Sequence, residues 1–350
     1  MSDPGLAYLL GRVQLVEDRV RALVAQRRAG DPAPDDPFRG LYVSEETVDA
    51  LLAPEEAAPP PLDHPARQAL EADADAAEQS GATLRLRRLA RDAGLSALDV
   101  ELLMIALLPD LDARFERLYG YLNDDVTRRR ASVGLALLLA GESAMSAPAR
   151  GRLEPSRPLL RHGLVLVEEP ERPFLTRGLR VPDRVVAHLL GDDAPAAALA
   201  GLIEQTPAYH APIAQHLARA LTAGVRLVHL HERVSGTGSA VAVAALAAAG
   251  REALVLDLSR LSRAAGTGTM DAATLADAAI REALLRRAGL VAAPVETLAE
   301  FGPDSLHRLT EADVPVLLVG STTWDPQWSS HSPLLAEAPV LGGRERLALW

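Results

Sequence analysis

Between the apolar run Val225–Leu230 and the alanine-rich run Val241–Ala249 lies the segment His231-Glu232-Arg233-Val234-Ser235-Gly236-Thr237-Gly238-Ser239-Ala240. A glycine-bearing loop joining a strand to a helix can aim backbone N–H groups and the positive helix end at a phosphate. The working form of such a loop, G-x-x-x-x-G-K-S/T, adds a lysine for the β- and γ-phosphates and a hydroxyl for magnesium. Set on this segment, the pattern puts Arg233 at the first glycine, Gly238 at the second, Ser239 at the lysine and Ala240 at the magnesium hydroxyl. Ser239 offers a hydroxyl where a cation is needed, and Ala240 offers nothing. The 350 residues contain no lysine, so no other segment of the chain can restore one. Arg233 carries a charge, but its place at the start of the loop does not supply the lysine's geometry. Ser235, Gly236, Thr237, Gly238 and Ser239 are therefore the candidate cofactor contacts of a degenerate phosphate loop. At most weak binding of ATP or ADP is expected, with no unaided hydrolysis.

The elements needed to position such a loop follow it. Ala253–Leu258 reads as a second strand, Thr274–Arg287 as a helix, Leu290–Val295 as a third strand and Val314–Val319 as a fourth. Strands alternating with helices imply a parallel sheet with ligands at the carboxyl ends of its strands. A working site would end the third strand in an acidic pair. Here Glu296 is the one vestigial catalytic candidate, after a Pro294 that disturbs the strand end. Gly320–Trp324 follows the fourth strand and offers Thr322 as a sensor-like residue. His229 and His231 alternate onto one strand face, but with no cysteine and no third ligand at a matching spacing no metal site is assigned. Asp304, Ser305 and His307 lack a G-x-S-x-G context, so no independent hydrolase is read.

The composition, 48% hydrophobic and 24% charged, is that of a folded chain, and 350 residues allow two or three domains. A net charge of −11 opposes non-specific attraction to nucleic acid or anionic membranes. The absence of cysteine excludes disulfides and thiolate chemistry. Charged residues interrupt the N-terminal apolar pattern and no run reaches bilayer-spanning length, so the reading is cytoplasmic with no membrane partner.

Leu6, Leu9, Val13, Val16, Val20 and Leu23 draw one apolar stripe on a helix, suited to packing on its own domain or to self-association. Proline-rich stretches at Gly30–Pro37 and Pro54–Pro65 flank a short helix at Glu45–Leu52, and they read as linkers that leave the first helix tethered. A helix ending at Gly94 and another capped by Ser96 and Asp99 form a helix-turn-helix. Asp112–Leu122 is a third helix, and a fourth runs from the N-cap candidate Asp125 to Leu139. Strands at Leu164–Glu168 and Phe174–Val181 and a closing helix at Asp183–Leu190 complete a winged-helix order. Arg128, Arg129 and Arg130 could grip phosphates, but Asp124, Asp125, Glu168, Glu169 and Glu171 offset them, so nucleic acid is not the expected partner.

The whole resembles the N-terminal half of AAA+ ATPases found with bacterial extracellular contractile injection systems. The similarity is carried by Leu95–Asp99, Leu159–Leu164, Ser235–Gly238, Val316–Trp324 and the closing Arg344–Trp350, across roughly residues 80–350. It implies a helical N-terminus, a winged-helix domain and a P-loop NTPase-like (AAA+) parallel sheet with flanking helices. The divisions are 1–28 for the amphipathic helix, 29–65 for the linker, 66–194 for the winged helix and 195–350 for a degenerate, truncated ATPase-like domain. The resemblance also implies a fifth strand and a helical lid beyond Thr322, for which no segment is assigned, and a possible neighbour-reaching role for Arg344 or Arg346. Protein partners or self-association follow, as a regulatory and assembly portion whose active module lies elsewhere. The alternatives are a winged-helix DNA-binding transcription regulator and an ATP hydrolase completed by residues supplied in trans.

Overall fold

The computed structural model describes residues 3–29, 65–261, 272–301, 303–342 and 345. The linker at 30–64 with its predicted helix, and Arg344 and Arg346 in the closing run, lie outside the described residues. The chain divides into two units, Met1–Asp192 and Asp193–Trp350.

In the first unit, α1 (Pro4–Ala29), α2 (Pro65–Gln79), α3 (Arg85–Asp92) and α4 (Ala97–Leu111) come first. The expectation of a tethered first helix is corrected. Leu9, Val16 and Val20 of its apolar stripe are buried, and Arg12 on the same face is buried with them. Arg12 pairs with Glu71 of α2 at 2.9 Å and with Glu101 of α4, and Glu101 also receives Arg19 of α1 and Arg67 of α2. A buried carboxylate shared by three guanidinium groups fixes the places of three helices at once, since each charge would be costly without the others.

The predicted cap of α4 is present. Ser96 Oγ accepts from the Asp99 amide at 3.2 Å, and Asp99 accepts from the Ser96 amide at 2.7 Å. Behind the cap, Leu102, Leu103, Met104, Ile105, Leu107 and Leu108 are fully buried, making α4 the core helix of the unit. Helix α5 (Arg114–Leu122) adds Phe115 and Tyr119, whose buried hydroxyl donates to the Ile105 carbonyl at 2.8 Å. That bond answers the need of a buried phenol for a partner.

The fourth predicted helix starts later than Asp125. Helix α6 spans Val133–Leu139 and is capped by Ser132, whose Oγ accepts from Leu135 N at 3.2 Å. Asp125 instead accepts from Thr127 N at 2.9 Å, a local turn that short acidic side chains favour over helix. Short helices α7 (Ala147–Gly151) and α8 (Pro158–Arg161) lead to a wing of only two residues per strand. In it, β1 (Leu166–Val167) pairs antiparallel with β2 (Leu179–Arg180), placing Leu166 opposite Arg180. Most of the predicted second strand is a 3-10 turn at Phe174–Thr176 and a tip in which Arg177 donates to the carbonyls of Arg172 and Pro170. Helix α9 (Asp183–Leu189) closes the unit.

The second unit runs α10 (Pro212–Thr222), β3 (Leu227–His231), α11 (Thr237–Ala248), β4 (Glu252–Asp257), α12 (Ala272–Arg286), β5 (Ala288–Ala293), α13 (Val295–Phe301), α14 (Pro303–Thr310), β6 (Val316–Gly320) and β7 (Leu334–Glu337). The strands form one sheet in the order β4-β5-β6-β3-β7, and every pairing is parallel. The missing fifth strand is therefore corrected: β7 pairs with β3 from Val228↔Leu334 to His231↔Glu337. Val228 and Leu230 of β3 join Val241, Ala242, Ala245 and Leu246 of α11 in a core cluster with Leu217 and Leu221 of α10. Alternation sends His229 and His231 to the opposite sheet face. The first strand of the unit lies inside the sheet, so the strand order reverses at β3. In open parallel sheets such a reversal opens a crevice at the carboxyl ends, and the glycine loop leaves β3 there.

Candidate functional site

The loop between β3 and α11 is built around Gly236, which precedes the helix with φ of 91°. That left-handed conformation suits glycine and lets the chain turn directly into α11. Ser235 is exposed, whereas Thr237, Gly238 and Ser239 are buried in the first helical turn and Ala240 is buried behind them. No side chain from Gly236 can cap this helix, so its first amides must find partners elsewhere.

The partner is Glu232, to which the sequence reading gave no role. Its Oε2 accepts from the Gly238 amide at 2.8 Å and its Oε1 from the Gly236 amide at 3.3 Å. The Glu232 backbone amide donates to the Gly320 carbonyl at 2.8 Å, tying the loop to the end of β6. Burial raises the Glu232 carboxyl above the usual range despite the two amide bonds, and nearby Glu296 adds to the rise. The legible signal was an acidic residue four positions before Gly236 and six before Gly238. Arg233 is directed away and meets Glu337 of β7 at 3.7 Å, both side chains well exposed.

Glu296 and Thr322 are brought together, but through the backbone of Thr322. Glu296 Oε1 accepts from the amide of Ser321, from Ser321 Oγ at 2.8 Å and from the Thr322 amide at 2.8 Å. Burial acts to raise this carboxyl, yet the hydrogen bonds outweigh it and hold it below the usual range. Glu296 Oε2 is buried with no hydrogen-bond partner. On the same side of β3, the His229 ring lies against Trp324 and Trp328, with centroids 5.6 and 6.2 Å away. Its Nε2 is also buried and unpartnered. Burial lowers the His229 pKa and His231 lowers it further, with Glu296 partly opposing. His231 itself contacts the Ser321 carbonyl at 2.9 Å. The site thus pins the β3, β5 and β6 ends to one another, and its two carboxylates are engaged by backbone amides.

Among the described residues, no group of three or more His, Cys, Asp or Glu side chains can hold a metal ion, and no helix is long and apolar enough to cross a membrane. In the first unit the arginines weighed as phosphate contacts are drawn inward. Arg128 pairs with Asp125 at 3.2 Å and donates to the Thr176 carbonyl, and Arg130 pairs with Asp110 at 3.0 Å. Arg129 is mostly exposed and lies 3.6 Å from Glu116. The wing pairs Arg180 with Glu168 at 2.6 Å and Arg172 with Glu169 at 2.8 Å. This surface carries both signs in contact, which weakens any field reaching a polyanion.

Comparison with the curated proteins and with the solved structures gives no match. A family model described as "Winged helix domain, variant" matches residues 3–203, more than half of the chain. Its span takes in α1, the helix-turn-helix, the wing and α9, and the chain belongs to this winged helix domain family.

Proposed function

We propose that the chain is the non-catalytic regulatory and assembly portion of an AAA+ type protein, of the kind associated with bacterial extracellular contractile injection systems. It acts through protein contacts or self-association, in the cytoplasm. The observation that carries this reading is a glycine loop placed at the reversal point of a parallel sheet, with Ser239 and Ala240 at the positions of the lysine and the magnesium hydroxyl. A frame kept in this condition positions strands and helices without supplying the charges that phosphoryl transfer requires. The engagement of Glu296 by the Ser321–Thr322 turn supports a positioning role for it rather than activation of water. The inward pairing of Arg128 and Arg130 supports protein over DNA as the partner of the winged helix.

Phosphate release is the test, measured for this chain alone and for a catalytic P-loop ATPase of the same injection system with and without it. The chain alone gives the blank rate, and its addition changes the partner enzyme's rate. Salt-sensitive retardation of duplex DNA by the chain, with no effect on the ATPase, would replace this reading with the regulator.

A further inference from the structure

Loss of a lysine weakens a phosphate loop but leaves its amides open. Here they are filled. The Glu232 carboxylate takes the Gly236 and Gly238 amides at 3.3 and 2.8 Å, the groups and the positive helix end that would receive a phosphate oxygen. Glu232 is only 5% exposed, so its charge is tolerated because those amides receive it. The fit is close: a Cβ placed on Gly238 would lie 3.0 Å from Glu232 Oε2 and 2.4 Å from Val319 Cγ1. The carboxylate oxygens themselves hold the places in line with the two amides that a phosphate oxygen would need.

We propose that Glu232 is an internal phosphate surrogate that fills the anion seat at the start of α11 and closes the loop to polyphosphates. This rests on reading the segment as a phosphate loop. An entering phosphate must displace the carboxylate and then face its negative charge, so exclusion is active rather than a by-product of the missing lysine. The seat exposed when the side chain is removed takes a tetrahedral oxyanion, of which pyrophosphate is the simplest polyphosphate probe.

The experiment uses the full chain as wild type, Glu232→Ala and Glu232→Gln. Pyrophosphate binding is followed by calorimetry and by hydrogen exchange at the Gly236 and Gly238 amides. In Glu232→Ala, both amides should exchange at least about tenfold faster, and pyrophosphate should bind at least about tenfold more tightly than to wild type while restoring their protection. In Glu232→Gln the volume remains but the charge is gone, so pyrophosphate binding rises by less than in Glu232→Ala, and one of the Gly236 and Gly238 amides exchanges faster because a carboxamide nitrogen cannot accept its N–H. Two results overturn the proposal: a folded Glu232→Ala chain, by unchanged Trp324 and Trp328 fluorescence, without tighter pyrophosphate binding, or a wild type that binds pyrophosphate as tightly as the variant. Should Glu232→Ala fail to fold, Glu232→Gln decides, and unchanged protection of both Gly236 and Gly238 with no gain in pyrophosphate binding overturns it. ATP turnover by wild type would defeat the non-catalytic reading separately, whatever the variants bind.

Discussion

Changing Glu101 to Gln keeps the shape of a side chain that is 1% exposed but removes the charge that three arginines share. Their remaining partners set the magnitude. Arg12 keeps Glu71 at 2.9 Å, and Arg19 keeps the Leu139 carbonyl at 2.9 Å and the Leu15 carbonyl at 3.3 Å. Arg67, with its side chain 18% exposed, can turn to water. Breaking a buried ion pair generally costs about 3–5 kcal/mol, and these residual bonds place this case near about 3 kcal/mol. Since α1 and α2 are held to α4 through this carboxylate, the loss should appear in α1. Amide hydrogen exchange over Pro4–Ala29 should accelerate on the order of a hundredfold, the equivalent of about 3 kcal/mol in opening free energy. Trp324 and Trp328 lie in the second unit, so tryptophan fluorescence should report an unchanged unfolding midpoint there. Glu116→Gln serves as the control, because its partner Arg129 is exposed at 3.6 Å and such pairs contribute about 0–1 kcal/mol. Exchange in α1 that rises less than about threefold would show that Glu101 does not anchor the helix.

The remaining expectations concern the cap, the site and its pH response. Ser96→Ala should cost about 1 kcal/mol in urea unfolding, and Asp99→Asn more, because buried Asp99 also receives Arg152; equal costs would contradict the shared role of Asp99. Gly320→Ala should destabilise the second unit by about 1–3 kcal/mol, since the added Cβ would lie 2.6 Å from both Glu296 Oε2 and Val295 Cγ1. Thermal melts followed by tryptophan fluorescence check this. His229 has a folded pKa below its unfolded value, so it contributes stability above the ordinary histidine range of about 6.5 that is lost as pH falls through that range and on to the folded value. Glu232, with a raised folded pKa, has the opposite sign: its contribution is present at low pH and lost as pH rises through the folded value. Unfolding midpoints of wild type and His229→Phe measured between about pH 7.5 and 5 should converge or cross as pH falls; parallel curves would show that His229 does not set this dependence.

How much was legible in the sequence differs between elements for physical reasons. The Ser96–Asp99 cap could be read because a capping box is local and depends on residue type and spacing alone. The strand–loop–helix at β3 and α11 was readable from an apolar run, glycines and an alanine-rich helix. The start of α6 was misplaced because Asp125 and Ser132 are both good cap residues. Tertiary bonds from Arg128 and Arg130 hold the intervening residues out of the helix. Strand β7 escaped notice because four residues, Leu334–Glu337, carry little periodic signal and gain strand form by pairing with β3 across about a hundred residues of chain. Glu232 was visible as a residue but not as an occupant, because its role depends on a side chain folding back over a loop whose path no propensity specifies.

The proposed function makes the loop between β3 and α11 a frame without phosphoryl-transfer chemistry, in which Glu296 holds a turn. It is tested most directly by continuous phosphate release from ATP and magnesium with the purified wild-type chain and with Glu296→Gln. Both should give the rate of the protein-free blank. A wild-type rate of about 1 s⁻¹ or more that disappears in Glu296→Gln would place the chain in the ordinary enzyme range and contradict the account.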